Sequence, residues 1–217
     1  TSKPMSSNCR VGFLLSVLAV GVLACGKDEP VPDAVRFDFG ELHTDASGHA
    51  VRFAADGERV RPLATPGTQS LRPDTTYRAI VSYVSLGDAI RALQIVRVPV
   101  YFAQSIPQFH FRGDPVRWVA GWRGGRYLNL RLDLPGSFGA KHSLAFAQRP
   151  PVAWPDGRRT AVVWLYHDAH GDRNDYFQDT YLNLALSPYI ESSRERFDSI
   201  ALFVNTLHGP ERRAFPL

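Results

Sequence analysis

Residues 168–175 (DAHGDRND) concentrate side-chain oxygens at close spacing. Hard divalent cations take such carboxylate and amide oxygens, and calcium takes roughly six to eight of them. Asp168, Asp172 and Asn174 are therefore candidate ligands of a calcium ion, with His167 and His170 beside them. The run departs from a true calcium loop: His170 stands where the third position needs an acid, and no glutamate follows before Glu191. The competing reading is a hairpin turn at Gly171, with aspartate side chains bonding the local backbone.

Four tryptophans supply the other candidate chemistry. Trp154 sits in the turn sequence Trp154-Pro155-Asp156-Gly157, and Trp122 abuts Gly124-Gly125. Trp154 is expected at the surface, and Trp122 fits either surface or core; an exposed pair with Arg123 or Arg126 at its edge would stack on a sugar ring or a partner protein. Trp164 lies between Val163 and Leu165 and is expected in the core.

Motifs for catalysis are lacking. None of the seven histidines forms an H-E-x-x-H pair, and Gly136-Ser137-Phe138-Gly139 is no nucleophile elbow. The sequence predicts no catalytic residue and no enzyme; the alternative is a hydrolase without a recognisable motif. Cys9 and Cys25 are the whole cysteine complement, too few for a disulfide scaffold.

The apolar run Val11–Ala24 is 14 residues long, with Arg10 ahead of it and Cys25 behind. A bilayer span needs about 20, whereas a short apolar run with a basic flank and a small terminal residue describes a secretory signal. Val22-Leu23-Ala24-Cys25 resembles a bacterial lipobox, so residues 1–24 are expected to be removed and Cys25 lipidated. Residues 25–34 read as a polar tether. Gly26, rather than an aspartate, follows Cys25; by resemblance to Gram-negative lipoproteins, this implies the outer membrane.

Beyond the tether, 44% apolar and 21% charged residues exclude disorder, and a single long apolar run excludes a multi-span membrane protein. Period-2 alternation dominates. Val35–Phe39, Val51–Phe53, Glu58–Pro62, Tyr77–Leu86 and Ala89–Tyr101 read as five strands of a small OB-like barrel over residues 35–104, with a turn at Asp56-Gly57. Residues 105–115 connect it to an antiparallel β-sandwich over 116–217, with strands expected at 116–122, 126–134, 142–147, 160–167, 179–186 and 198–206. The fold class is all-β. Residues 26–105 hold nine basic and ten acidic side chains, so the OB-like part carries no basic excess for nucleic acid. The partners expected are the membrane, through Cys25, and an envelope protein or a glycan.

Tyr127-Leu128-Asn129-Leu130 recurs as Tyr181-Leu182-Asn183-Leu184. In a strand, each copy sends its leucines to the core and Tyr and Asn to the other face. The echo marks either a duplicated hairpin or two strands meeting the same packing problem.

The lipobox, the five-stranded region and residues 122–130 (WRGGRYLNL) resemble the NigD-like family of bacterial lipoproteins. His142, Tyr166-His167-Asp168 with Gly171-Asp172, and His208-Gly209 after Ser199–Thr206 fit the same pattern. The resemblance implies an OB-like domain followed by a β-sandwich. It supplies no catalytic residues to carry over.

Overall fold

The computed structural model describes residues 34–67, 71–107, 111–191 and 195–217. The expected signal, Cys25 and most of the tether lie outside these residues. Alternation in the sequence becomes strand almost throughout, and the one helix among the described residues, α1 (Ser187–Ile190), is a single turn.

The first half is one curled sheet. It comprises β1 (Arg36–Thr44), β2 (Ala50–Ala55), β3 (Arg61–Pro62), β4 (Thr76–Leu86) and β5 (Ala89–Arg97), in the order β3-β2-β1-β4-β5. Leu63 bridges Ile90 in parallel, which draws the two edges together into the half-barrel expected of an OB-like unit. Leu42, Phe53, Val81, Tyr83 and Ile90 fill its interior. The Asp56-Gly57 turn forms as the sequence predicts, closed by Glu58 N–H donating to Ala55 O at 2.9 Å.

The second half is a sandwich of two sheets. One is ordered β14-β13-β11-β10-β7 and the other β6-β12-β9-β8. Their strands are β6 (Val100–Tyr101), β7 (Ala103–Gln104), β8 (Arg117–Gly124), β9 (Tyr127–Gly136), β10 (Ser143–Ala153), β11 (Arg159–Asp168), β12 (Tyr176–Ala185), β13 (Ser199–Thr206) and β14 (Gly209–Pro216). The leucines of β9 and β12 meet Phe146, Val163, Leu165, Ile200 and Leu202 between the sheets.

Three features differ from the sequence expectation. The stretch assigned to a fifth barrel strand stops at Arg97; β6 and β7, beyond Pro99, pair with β12 and β10 of the sandwich. Proline has no N–H for a ladder, so the chain changes partners there. The sandwich is not wholly antiparallel, because β11 and β13 run parallel. Between them the chain crosses to the other sheet as β12 and returns in its original direction. The third difference is β14, an edge strand that the sequence conceals: Pro210, Pro216 and three charged residues suit an edge and spoil the strand signal.

The repeated tetrapeptide is explained by register. Asn129 and Asn183 face each other across β9 and β12, and Asn183 Nδ2 donates to Asn129 Oδ1 at 2.8 Å. Both accept from the Arg78 guanidinium of β4, at 2.8 and 3.0 Å. Arg78 also forms a bidentate pair with Asp56, and Asn129 Nδ2 donates to Asp56 at 3.0 Å. The Arg78 side chain is wholly buried, with the Tyr127 ring 4.3 Å from Cζ. Gly124 lies so close to Asp56 and Asn129 that any Cβ there would collide with both. This polar junction covers the outer face of the four-stranded sheet with the half-barrel.

Candidate functional site

Among the described residues, the outer face of the five-stranded sheet is met by the segment around Phe111 and not by the half-barrel. Its geometry follows from parity: Ala161, Val163 and Leu165 of β11 point into the core, so Thr160, Val162 and Trp164 point out. Register then places Ala147, Trp164, Phe203 and Arg212 in one row across β10, β11, β13 and β14. The next row holds Arg149, Val162, Ala201 and Ala214.

Trp164 is therefore not a core residue; it is 39% exposed. Its neighbours Val163 and Leu165 are buried because they have the opposite parity. Its indole stacks on Phe203 at 5.4 Å with 24° between the planes, and Phe111 packs edge-on against it at 5.6 Å. Together they wall an apolar cleft of about 240 Å³. Arg149 lies over Phe111 and Trp164, at 5.3 and 5.8 Å from the ring centroids.

Trp154 occupies the same face and is 45% exposed. Its Nε1 donates to Thr160 Oγ1 at 2.9 Å, which fixes the indole plane. A second depression, of about 450 Å³, runs past it between Arg158, Asp198 and Arg212. Arg149 and Arg212 form no ion pair with a carboxylate among the described residues.

Trp122 is elsewhere. It projects from β8 on the opposite side of the sandwich, packs edge-on against Phe39 at 5.2 Å, and lines a cleft with Phe37, Asp56 and Arg123. Trp122 and Trp154, both predicted as binding residues, thus belong to different surfaces. Arg126 is taken up by an ion pair with Glu191.

The candidate calcium ligands are not gathered into a ligand set. Among the described residues, no group of three His, Cys, Asp or Glu side chains is placed to hold a metal ion. Asp172 instead accepts from Ser137 N–H at 2.8 Å, from Arg173 N–H at 2.7 Å, from the Ser137 hydroxyl, and from His142 Nε2 at 3.2 Å. The Ser137 hydroxyl bond leads the effects that hold its carboxyl well below the usual range. Asp168 accepts from His170 N–H at 2.8 Å, and Asn174 is exposed. The loop turns at His170 and Gly171, both at positive φ, with Asp172 N–H closing onto Ala169 O. This matches the turn chemistry of the competing reading, although the loop passes between sheets instead of forming a hairpin.

Behind it, His142 Nδ1 and His167 Nε2 share a hydrogen bond of 2.9 Å, and His167 Nδ1 donates to Asp114 O at 3.0 Å. Burial lowers the His167 pKa below its ordinary 6.5. The order of contacts is Ser137–Asp172–His142, so the hydroxyl meets a carboxylate and no imidazole. A serine nucleophile needs the reverse order, with the base on the hydroxyl.

Sequence reasoning missed Trp164, Phe203 and Arg212 as surface groups. Parity within β11 carried the signal for Trp164; bringing it beside Arg212 required strand pairing that no local pattern encodes.

The fold is an all-β architecture in which a half-barrel sheet precedes a β-sandwich. The profile of the NigD-like C-terminal beta sandwich domain matches residues 101–216, more than half of the chain. The chain belongs to the NigD-like family. Among solved structures, a NigD-like immunity protein from Bacteroides caccae is 20% identical with a TM-score of 0.65, over 83% of this chain and 92% of that one. A protein of unknown function from Bacteroides vulgatus is 18% identical with a TM-score of 0.67, over 85% and 91%. A Bacteroides fragilis protein provisionally described as a lipoprotein is 10% identical with a TM-score of 0.58, over 84% and 97%. At these identities the likeness establishes the fold. No curated protein matches the chain.

Proposed function

We propose that the protein is a non-enzymatic lipoprotein of the bacterial outer membrane, anchored through Cys25, that binds an envelope partner or glycan through the open face of its five-stranded sheet. One observation carries the binding reading: Trp154 and Trp164 are fixed, exposed and on the same outer face, whereas tryptophan is ordinarily well buried. The lipobox at residues 22–25 supports the anchor, as does the B. fragilis relative described provisionally as a lipoprotein. The description of the B. caccae relative as an immunity protein fits a role in binding rather than catalysis.

The anchor is tested by expressing the chain in a Gram-negative host with labelled palmitate. The label enters the wild-type protein, which fractionates with the outer membrane, and is lost from Cys25→Ser. A soluble, unlabelled wild-type protein would defeat this reading.

A further inference from the structure

The binding reading leaves the ligand's chemistry open, and the outer face of the five-stranded sheet narrows it. Thr160, which holds Trp154, and Trp164 are four residues apart on β11, about 13 Å at the rise of an extended strand. The two indoles are therefore separate platforms on one line, each held by its own contacts. Between them the floor is small: Ala201 and Ala214 follow Val162 across the sheet. Arg149 and Arg212 flank the Trp164–Phe203 pair from opposite sides, and neither meets a carboxylate among the described residues.

Resting on that reading, we propose that this trough binds an acidic oligosaccharide whose sugar rings carry carboxylates. A sugar ring has an apolar C–H face that stacks on an indole and a polar rim left to be bonded. Spaced platforms on a line suit a chain of such rings. Arg212 suits a carboxylate, which a guanidinium pairs in a planar, two-pronged geometry, and Arg149, whose Nη1 donates to Ile106 O at 2.9 Å, adds positive charge beside the indole. Arg158, paired with Asp156, and Asp198, which accepts from Arg159 N–H at 2.8 Å, line the depression beside Trp154. An acidic peptide would satisfy the arginines too, but an extended peptide draws affinity from main-chain bonds at a sheet edge. The face of a sheet offers none, because its N–H and C=O groups are spent on neighbouring strands.

The test uses the full chain, with binding read by tryptophan fluorescence and calorimetry. The probes are hexamers of galacturonate, mannuronate and hyaluronan, the methyl-esterified galacturonate hexamer, and polyglutamate of matched charge. At least one acidic hexamer binds, and the methyl-esterified galacturonate hexamer binds at least tenfold more weakly than it does. Trp154→Ala and Trp164→Ala each weaken binding at least tenfold, Arg212→Glu abolishes it, and Trp122→Ala leaves it unchanged. Arg212 is exposed, so the Glu variant keeps the test sound if a tryptophan variant misfolds. The proposal is overturned if no hexamer binds, if the Trp154 and Trp164 variants bind undiminished, or if polyglutamate binds equally well.

A photo-crosslinker at position 212 in intact cells separates the two levels of inference. Crosslinks to protein without hexamer binding would keep the docking face and remove the sugar. Silence in both arms would remove the binding reading as well.

Discussion

The two outer faces of the sandwich begin from the same alternating pattern and end in opposite states. On the four-stranded sheet, Asn129, Asn183 and Tyr127 are covered by the half-barrel, and the buried guanidinium of Arg78 is bonded to Asp56 and both asparagines. On the five-stranded sheet, Trp154 and Trp164 are partly exposed, and among the described residues Arg149 and Arg212 meet no carboxylate. A buried polar group must be fully bonded to be tolerated, so the covered face is polar and complete. The open face meets no such demand, so aromatic and charged side chains stand at its surface.

If that contrast is right, breaking the covered face has the largest effect. Arg78→Met removes the cationic partner of Asp56 and leaves two asparagines short of a donor, and should cost about 3–5 kcal/mol in urea unfolding. A loss below about 1 kcal/mol would mean that the junction is not the tie between the halves.

Adjacent residues sharpen the contrast within a single strand. Leu165→Ala removes a core side chain and should cost about 2–5 kcal/mol. Trp164→Ala should cost distinctly less in the same assay, because its side chain faces out. Equal costs would place Trp164 in the core after all.

The end of the sandwich gives a pH-dependent comparison. The Asp172 pKa is lowered on folding, so its contribution is present above its ordinary 3.8 and is lost as pH falls through and below that value. The His167 pKa is also lowered, so the folded state resists a proton that the unfolded chain accepts, and stability declines as pH falls below 6.5. The melting temperature should therefore drop from pH 7 towards pH 3 in two stages. Asp172→Asn should flatten the lower stage and His167→Gln the upper; an unchanged profile in either would show that group to be uninvolved.

The smallest effect belongs to the open face. Arg212→Glu should change stability by no more than about 0.5 kcal/mol, as expected of an exposed site. A larger loss would mean that Arg212 serves the fold rather than a ligand.

The strands at 126–134 and 160–167, the Asp56-Gly57 turn and the leucine faces of the repeated tetrapeptide were legible because each depends on neighbours within a few residues. The same local parity held the exposure of Trp164, although the apolar run around it pointed to the core. For the loop at 168–175, composition offered both a cation site and a turn. The contacts of the Asp172 carboxylate with Ser137 and His142, distant in sequence, were not legible in it.

By itself, then, the sequence determined that the chain is all-β and where its strands alternate. Tertiary structure decided which face is covered, that Asn129 and Asn183 converge on Arg78, and that Trp154 and Trp164 share a surface that excludes Trp122. Alternation is a property of one strand, whereas pairing and coverage depend on contacts between segments up to a hundred residues apart, which no local pattern records.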